Sequence, residues 1–467
     1  MMIIFPLVYL SAFTLALLDI IKGKKEGFIL FLIFGLSIYT TVLSVTFMLG
    51  FKGLIVYLQS FKEIFVILII GISIWNLKTK IKLHFLDYLI LAFFAYTLIY
   101  AILPIGEQGF MDRISALKTL SFFVLVYGCG RLFKPNEIYI SKYFHYILLL
   151  AIAAAVVMLT EVISDQHLQT RTGYADYNFY LFNFEPSGNY GLTWTFESEG
   201  GYKRFASFFA NPLEFASSTI VAISVLAALY TTDKYKLKID SFGYIALAAT
   251  LTCIVFALSR SAFISYFILV YAYSLITKRK YITNTIHIGA AIILIYLTYL
   301  LTKEQDQNDG IQMVIINTLN FSNPSSVGHL VEWIQGALAI VANPFGLGLG
   351  SSGRIGGSLG ENIGGENQFI IVGVQVGIIA LLLYLIIYIG FIKESLKWFY
   401  RLDGKEKKIC LALLLIKVGF IIPALTSETE SSSYISYLTW FLSGLFVSII
   451  STKVATVKDD SELKELA

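Results

Sequence analysis

From Asn343 to Leu381 the chain reads as a glycine-rich polar loop that runs directly into a long apolar helix, and the loop carries Arg354, Glu361 and Glu366. Glycines let backbone amides approach a bound group closely, and such loops are good places for chemistry on an otherwise apolar scaffold. Two further arginines stand in comparable settings. Arg204 precedes Asn211-Pro212-Leu213-Glu214, where asparagine suits an N-cap, proline the first helical position and glutamate the third. A helix is therefore expected to start at Pro212, with Arg204 on a partly apolar segment before it. There an unpaired guanidinium is costly and an anion welcome, although an arginine snorkelling to an interface leaves the same pattern. Arg260 lies in Ser259-Arg260-Ser261-Ala262, a tight turn between two apolar runs. Arginine can hold phosphate oxygens in a bidentate fork at any relevant pH.

Composition fixes the setting of these residues. With 57% hydrophobic, 15% aromatic and only 14% charged residues, and a mean hydropathy of +0.74, the chain cannot cover itself with a soluble surface and is expected to be an all-α polytopic membrane protein. A net charge of +4 is too small to point to nucleic acid. Cys129, Cys253 and Cys410 fall within or beside apolar segments without metal-ligand spacing, as small packing residues do.

Apolar runs of about 17 to 25 residues, long enough to cross a bilayer, lie near 2–20, 28–49, 61–76, 85–104, 114–133, 143–163, 212–230, 242–258, 262–277, 284–302, 368–391, 409–427 and 434–451. This gives about 12 to 13 spans. Residues 53–60 are too short to cross and are expected at the interface, and the first run lacks the cleavage site of a signal peptide. The units are then an N-terminal bundle at 1–163, a first large loop at 164–211, central spans at 212–302, a second large loop at 303–367, C-terminal spans at 368–451 and a tail at 452–467. That acidic tail reads as a disordered or short helical end.

The connections sort into two alternating sets. Lys22 to Lys25, Lys78 to Lys82, Arg131 to Lys142, Lys234 to Lys238, Lys278 to Lys280, Lys393 to Lys408 and Lys453 share one side, which the positive-inside rule makes cytoplasmic. Both long loops fall on the opposite side, with 105–113, 259–261 and 427–433. Loops of that length usually have a function, so the working site is expected outside. The first is rich in aromatics (Tyr174, Tyr177, Phe179, Tyr180, Trp194, Phe196), suited either to stacking on sugar faces or to an interfacial belt. Cations are scarce on this side (Lys52, Lys62, Arg113, Arg171, Lys203, Arg204, Arg260, Lys303, Arg354), so those present are the better candidates for holding a partner.

Several short motifs in order resemble the O-antigen polymerase and O-antigen ligase family of bacterial surface-polysaccharide enzymes. They are Arg204 with Asn211-Pro212, Leu258-Ser259-Arg260-Ser261-Ala262, Gly328-His329 to Trp333, Asn343-Pro344-Phe345-Gly346 to Gly350, and Gly365-Glu366-Asn367-Gln368-Phe369, covering about residues 200 to 390. The resemblance implies a membrane-embedded inverting glycosyltransferase of GT-C-like architecture in the bacterial inner membrane, with its active site outside. Its substrate would be an oligosaccharide carried on undecaprenyl diphosphate, with no cofactor and no metal, in contact with membrane lipid and with a possible chain-length regulator protein. Arg204 and Arg260 would map onto the family's diphosphate clamps, Arg354 matches by position only, and Asn211, Asn367 and Glu428 are further substrate contacts to consider. Ligases of the family carry His close before Asn at the late helix, whereas this chain has Glu366-Asn367, and His329 stands where relatives carry Arg. Both departures favour a polymerase over a ligase.

Extending a polysaccharide needs a hydroxyl made nucleophilic and a diphosphate leaving group made stable. Glu366 is the first candidate base and His329 the second. Equally, Glu366 could serve as an anionic helix cap, His329 could be structural on an amphipathic helix from about Val327 to Val341, and Glu428 and Glu430 could assist or simply be solvated. The glycine pattern from Gly346 to Gly350 follows no strand and lacks a P-loop lysine, and His84, His145, His167 and His287 are scattered without metal-ligand spacing. A lipid-linked oligosaccharide flippase is the alternative from another class. It should place charged or helix-breaking residues near the midplane of paired halves, whereas the polar residues here gather at one side.

Overall fold

The computed structural model describes residues 2–77, 81–198, 201–302, 324–360 and 362–465. Lys78, Lys80, Lys303 and Glu361, and residues 303–323 of the second large loop, lie outside them. Helices make up 76% of the structure and no strand forms among the described residues, so the chain is all-α. Among the described residues, ten helices are long and apolar enough to cross a membrane. They include α1 (Ile4–Ile21), α2 (Gly27–Met48), α3 (Lys52–Trp75), α4 (Phe85–Ile102), and, after the short α5 (Phe110–Ser121) and α6 (Phe123–Arg131), α7 (Ile140–Ser164). Beyond α8 (Tyr174–Phe182) come α9 (Pro212–Tyr230), the shorter α10 (Ser241–Phe256) and α11 (Arg260–Ile276), and α12 (Lys280–Thr302). The chain continues with α13 (Pro324–Ala342) and α14 (Gly353–Ser358), then the spans α15 (Gln368–Phe399), α16 (Gly404–Gly419) with α17 (Ile421–Thr426), and α18 (Ser433–Glu465).

Two expectations change in the N-terminal half. The run 114–133 is not one straight span but α5 and α6, which meet at Phe122. Here α6 lies against α18 with backbones almost touching: a Cβ on Gly130 would collide with the Phe441 carbonyl, and one on Gly444 with the Tyr127 carbonyl. Small residues permit that approach, which gives packing energy that lipid cannot match. Residues 53–60, expected at the interface, instead form the first turns of α3, so that span starts earlier than its hydropathy indicates.

The buried centre is α9, whose Ala216, Ser217, Ser218, Ala222, Ser224 and Ala228 let α7, α10, α11 and α16 close around it. Its start follows the sequence: Asn211 Oδ1 accepts from the Glu214 amide at 2.9 Å, with Pro212 in the first turn. The return bond differs, because Glu214 Oε2 accepts from Ala210 at 2.9 Å rather than from the cap residue.

Loops expected on one side contact one another, and so do loops expected on the other. Lys25 pairs with Glu137 at 3.0 Å, Arg131 donates to the Lys82 carbonyl at 2.7 Å, Arg279 to the Tyr235 carbonyl at 2.7 Å, and Lys453 pairs with Glu406 at 3.2 Å. At the other end, Ser432 donates to Glu214 at 2.6 Å, and Lys52 sits 4.5 Å from the ring of Tyr180.

The glycine-rich loop is built into a broken helix. Within α15, Gly377 takes φ 86° and ψ 178°, which opens the hydrogen-bond ladder. Residues 344–350 close it: Leu347 donates to the Val374 carbonyl at 2.7 Å, Gly348 to Gln375 at 3.0 Å, and Ile378 donates to the Pro344 carbonyl at 2.9 Å. A Cβ on Gly346 would lie 2.6 Å from the Gly377 nitrogen, so this contact requires glycine. Irregular backbone is tolerated in an apolar span only when protein satisfies it in this way.

Candidate functional site

Glu366 lies two residues before α15, behind Gly364 and Gly365 with φ +81° and +62°. It is not the helix cap. Asn367 fills that role, its Oδ1 accepting from Phe369 at 3.0 Å and Ile370 at 3.2 Å. The Glu366 carboxylate is left for other partners. It is exposed yet ringed by protein, as a group lining a recess is, and burial together with the charges of Glu332 and Glu428 pushes its pKa up to about 7 against the pull of Arg204.

Arg204 is held from both sides. Its amide donates to the Phe196 carbonyl at 2.9 Å, its Nε donates to the Ala257 carbonyl at 3.3 Å, and Phe205 pairs with the Phe256 carbonyl at 3.2 Å. The end of α10 thus fixes the guanidinium beside the turn that carries Arg260. Burial and the charge of Arg260 push Arg204 down to about 10, while Glu366 acts the other way. Arg260 itself is the first residue of α11, where the helix end is already positive. Two arginines and a helix N-terminus therefore share one neighbourhood, with Glu366 the acid that faces Arg204.

His329, on the half-buried face of α13, has Nδ1 3.9 Å from Glu332 Oε2. Burial and Arg260 lower its pKa, and Glu332 opposes them. It belongs to the same cluster.

Arg354 occupies an adjoining part of the same group of loops. Its amide donates to Glu428 Oε2 at 2.7 Å, and its guanidinium lies 4.3 Å from the centre of the Phe182 ring, within electrostatic reach of Tyr174 and Tyr177. Burial raises the Glu428 pKa despite that bond. Glu428 acts on both Arg354 and Glu366 and so links the two parts. Asn211 and Asn367, considered above as substrate contacts, are both engaged as helix caps.

The first-loop aromatics divide. Tyr174 and Phe196 are buried and build the loop's own core, Tyr177 is buried in the main core, and Phe179, Tyr180 and Trp194 are exposed. Beside Asn367, between α15 and α17, is an apolar cavity of about 480 Å³ lined by Phe369, Ile370, Leu385, Ile389, Ile421 and Leu425.

Three features escaped the sequence reading. Glu430 is not a solvated helper: its carboxylate accepts from Tyr384 at 2.7 Å, Trp440 at 2.8 Å and Ser436 at 2.5 Å. Lys417, inside α16, lies 3.8 Å from the Trp440 ring centre, and a lysine in the middle of an apolar run was a signal available in the sequence. Glu332 had no signal beyond its spacing from His329.

No family model and no curated protein matches the chain. The likeness to the polysaccharide enzymes therefore rests on the short motifs alone, and the residues must carry any functional argument.

Proposed function

We propose that the protein is a membrane-embedded glycosyltransferase that joins undecaprenyl-diphosphate-linked oligosaccharide units into a surface polysaccharide, with GT-C-like architecture and its site on the outer face of the bacterial cytoplasmic membrane. One observation carries the reading: Arg204 and Arg260 are held together at the start of α11, beside a carboxylate whose pKa lies near neutrality. Two guanidiniums and one titrating acid thus gather near the start of α15, where Asn367 lines an apolar cavity. A diphosphate joined to a prenyl chain satisfies both halves.

In the reaction the acceptor hydroxyl loses its proton to Glu366 as its oxygen bonds to the anomeric carbon from the face opposite the leaving group. The bond from that carbon to the diphosphate oxygen breaks. Arg204, Arg260 and the N-terminal amides of α11 take up the charge that develops on the diphosphate. A base with pKa near the working pH balances availability against strength. Arg354, Glu428 and the aromatic residues of α8 form a wall suited to acceptor sugars, and the apolar cavity suits the first isoprene units of a carrier.

Binding tests this reading directly. Purified protein should retain a prenyl diphosphate against ordinary phospholipid, and the double variant Arg204→Ala/Arg260→Ala should not. Equal retention by both would remove the diphosphate assignment.

A further inference from the structure

One face of α13 docks on the start of α15. A Cβ on Gly336 would stand 2.8 Å from Gly364 Cα, and one on Gly373 would stand 2.5 Å from the Ile340 side chain. Residues 329, 332, 336 and 340 recur at helical spacing, so the packing made by Gly336 and Ile340 turns His329 and Glu332 toward the loop that ends in Glu366. The fit is close. A Cβ on Gly365 would fall on the Glu332 carboxylate, and Oε2 of the same carboxylate is 3.9 Å from His329 Nδ1.

We propose that Glu332 is a positioning residue of this site, holding the His329 ring and the Glu366 carboxylate as one proton-sharing unit. The inference rests on the reading of Glu366 as the base. Among the described residues, the charged groups that face Glu366 are Glu332 on α13, Arg204 before α9 and Glu428 before α18; those that face His329 are Glu332 and Arg260. Of the two acids, Glu332 is the one whose carboxylate lies against the residue next to Glu366. A neighbouring negative charge disfavours ionisation, so Glu332 keeps Glu366 able to hold a proton near neutral pH. It also favours the protonated form of His329, which gives the unit a second place for the proton taken from the acceptor.

The test is the titration of Glu366 in the full-length protein, read as its carboxyl infrared band from the difference between each protein and its Glu366→Gln counterpart. Glu332→Gln should lower the midpoint by about one pH unit, and Glu332→Asp should restore part of the shift. The acid limb of the pH–rate profile should move with it. An unmoved midpoint in Glu332→Gln would overturn the inference even if the wild-type protein elongates lipid-linked sugars. A shifted midpoint in a protein that elongates nothing would keep the unit and remove the transferase reading.

Discussion

The backbone amide of Arg354 donates to the Glu428 carboxylate at 2.7 Å, joining the middle of the glycine-rich loop to the turn before α18. Glu430, two residues on, is itself held by Tyr384, Ser436 and Trp440, and its amide donates to Gln368 at 3.1 Å. The loop is thus anchored at two places: the break in α15 and this turn. A loop so fixed is a wall of the site rather than a freely closing lid.

Glu428→Ala leaves the Arg354 amide without its acceptor, at a cost of about 1–3 kcal/mol for a half-buried donor. Faster hydrogen exchange across residues 351–360, with little change in the peptides of α9, is the expected result. Unchanged exchange at 351–360 would mean that the anchor is redundant.

Arg204→Ala and Arg260→Ala should each reduce turnover on the order of 10²- to 10³-fold, as loss of a group that stabilises developing charge does. The far-UV spectrum and thermal midpoint should stay close to wild type, because the fold around Arg204 is fixed mainly by main-chain bonds to Phe196 and Phe256. Lysine at either position should restore part of the activity, since it supplies charge without the bidentate fork. Normal turnover in either alanine variant would remove that arginine from the site.

Gly377→Ala tests the architecture. The new Cβ would meet Pro344 and Phe345 backbone at 2.6 Å, in a conformation with φ +86° that L side chains avoid. A loss of about 2–4 kcal/mol follows from the strain and the clash together. It should appear as a lower thermal midpoint in detergent. Alanine at Gly357, where nothing lies within 4 Å, is the matched control.

Long apolar helices and the Asn211-Pro212 helix start were legible in the sequence, because each depends on residues close together in the chain. The breaks were not. Hydropathy sees 114–133 and 368–391 as continuous, since a glycine that admits a neighbouring backbone is as apolar as one that does not. Gly130 needs α18, and Gly377 needs residues 344–346, before either has a reason to be glycine. At the site, Glu366 was legible as a carboxylate at a helix start, but only the geometry transfers the capping role to Asn367 and brings Glu332 against Gly365.

His167 gives the first large loop a pH dependence. The ring is buried among Tyr190, Phe196 and Phe205, with neither nitrogen hydrogen-bonded, and burial and then Lys203 hold its pKa down at about 4. Unfolded, it titrates near 6.5. Since the folded value is the lower one, its contribution is full above about pH 6.5 and is lost as pH falls toward 4, about 3 kcal/mol in all. His167→Phe should flatten that part of the stability curve between pH 7 and 4, as measured by denaturation at each pH. An identical slope in wild type and variant would show that other groups control acid sensitivity.

The central claim is elongation at the outer face, and it is tested most directly by giving the purified protein only lipid-diphosphate-linked repeat units and resolving the products by size. The account predicts a ladder of longer lipid-linked chains, abolished by Arg260→Ala and reduced at acid pH as Glu366 takes up its proton. Product that appears only when a distinct lipid or protein acceptor is added would make the protein a ligase, and transfer of intact units across a bilayer without any new glycosidic bond would make it a carrier and contradict the account.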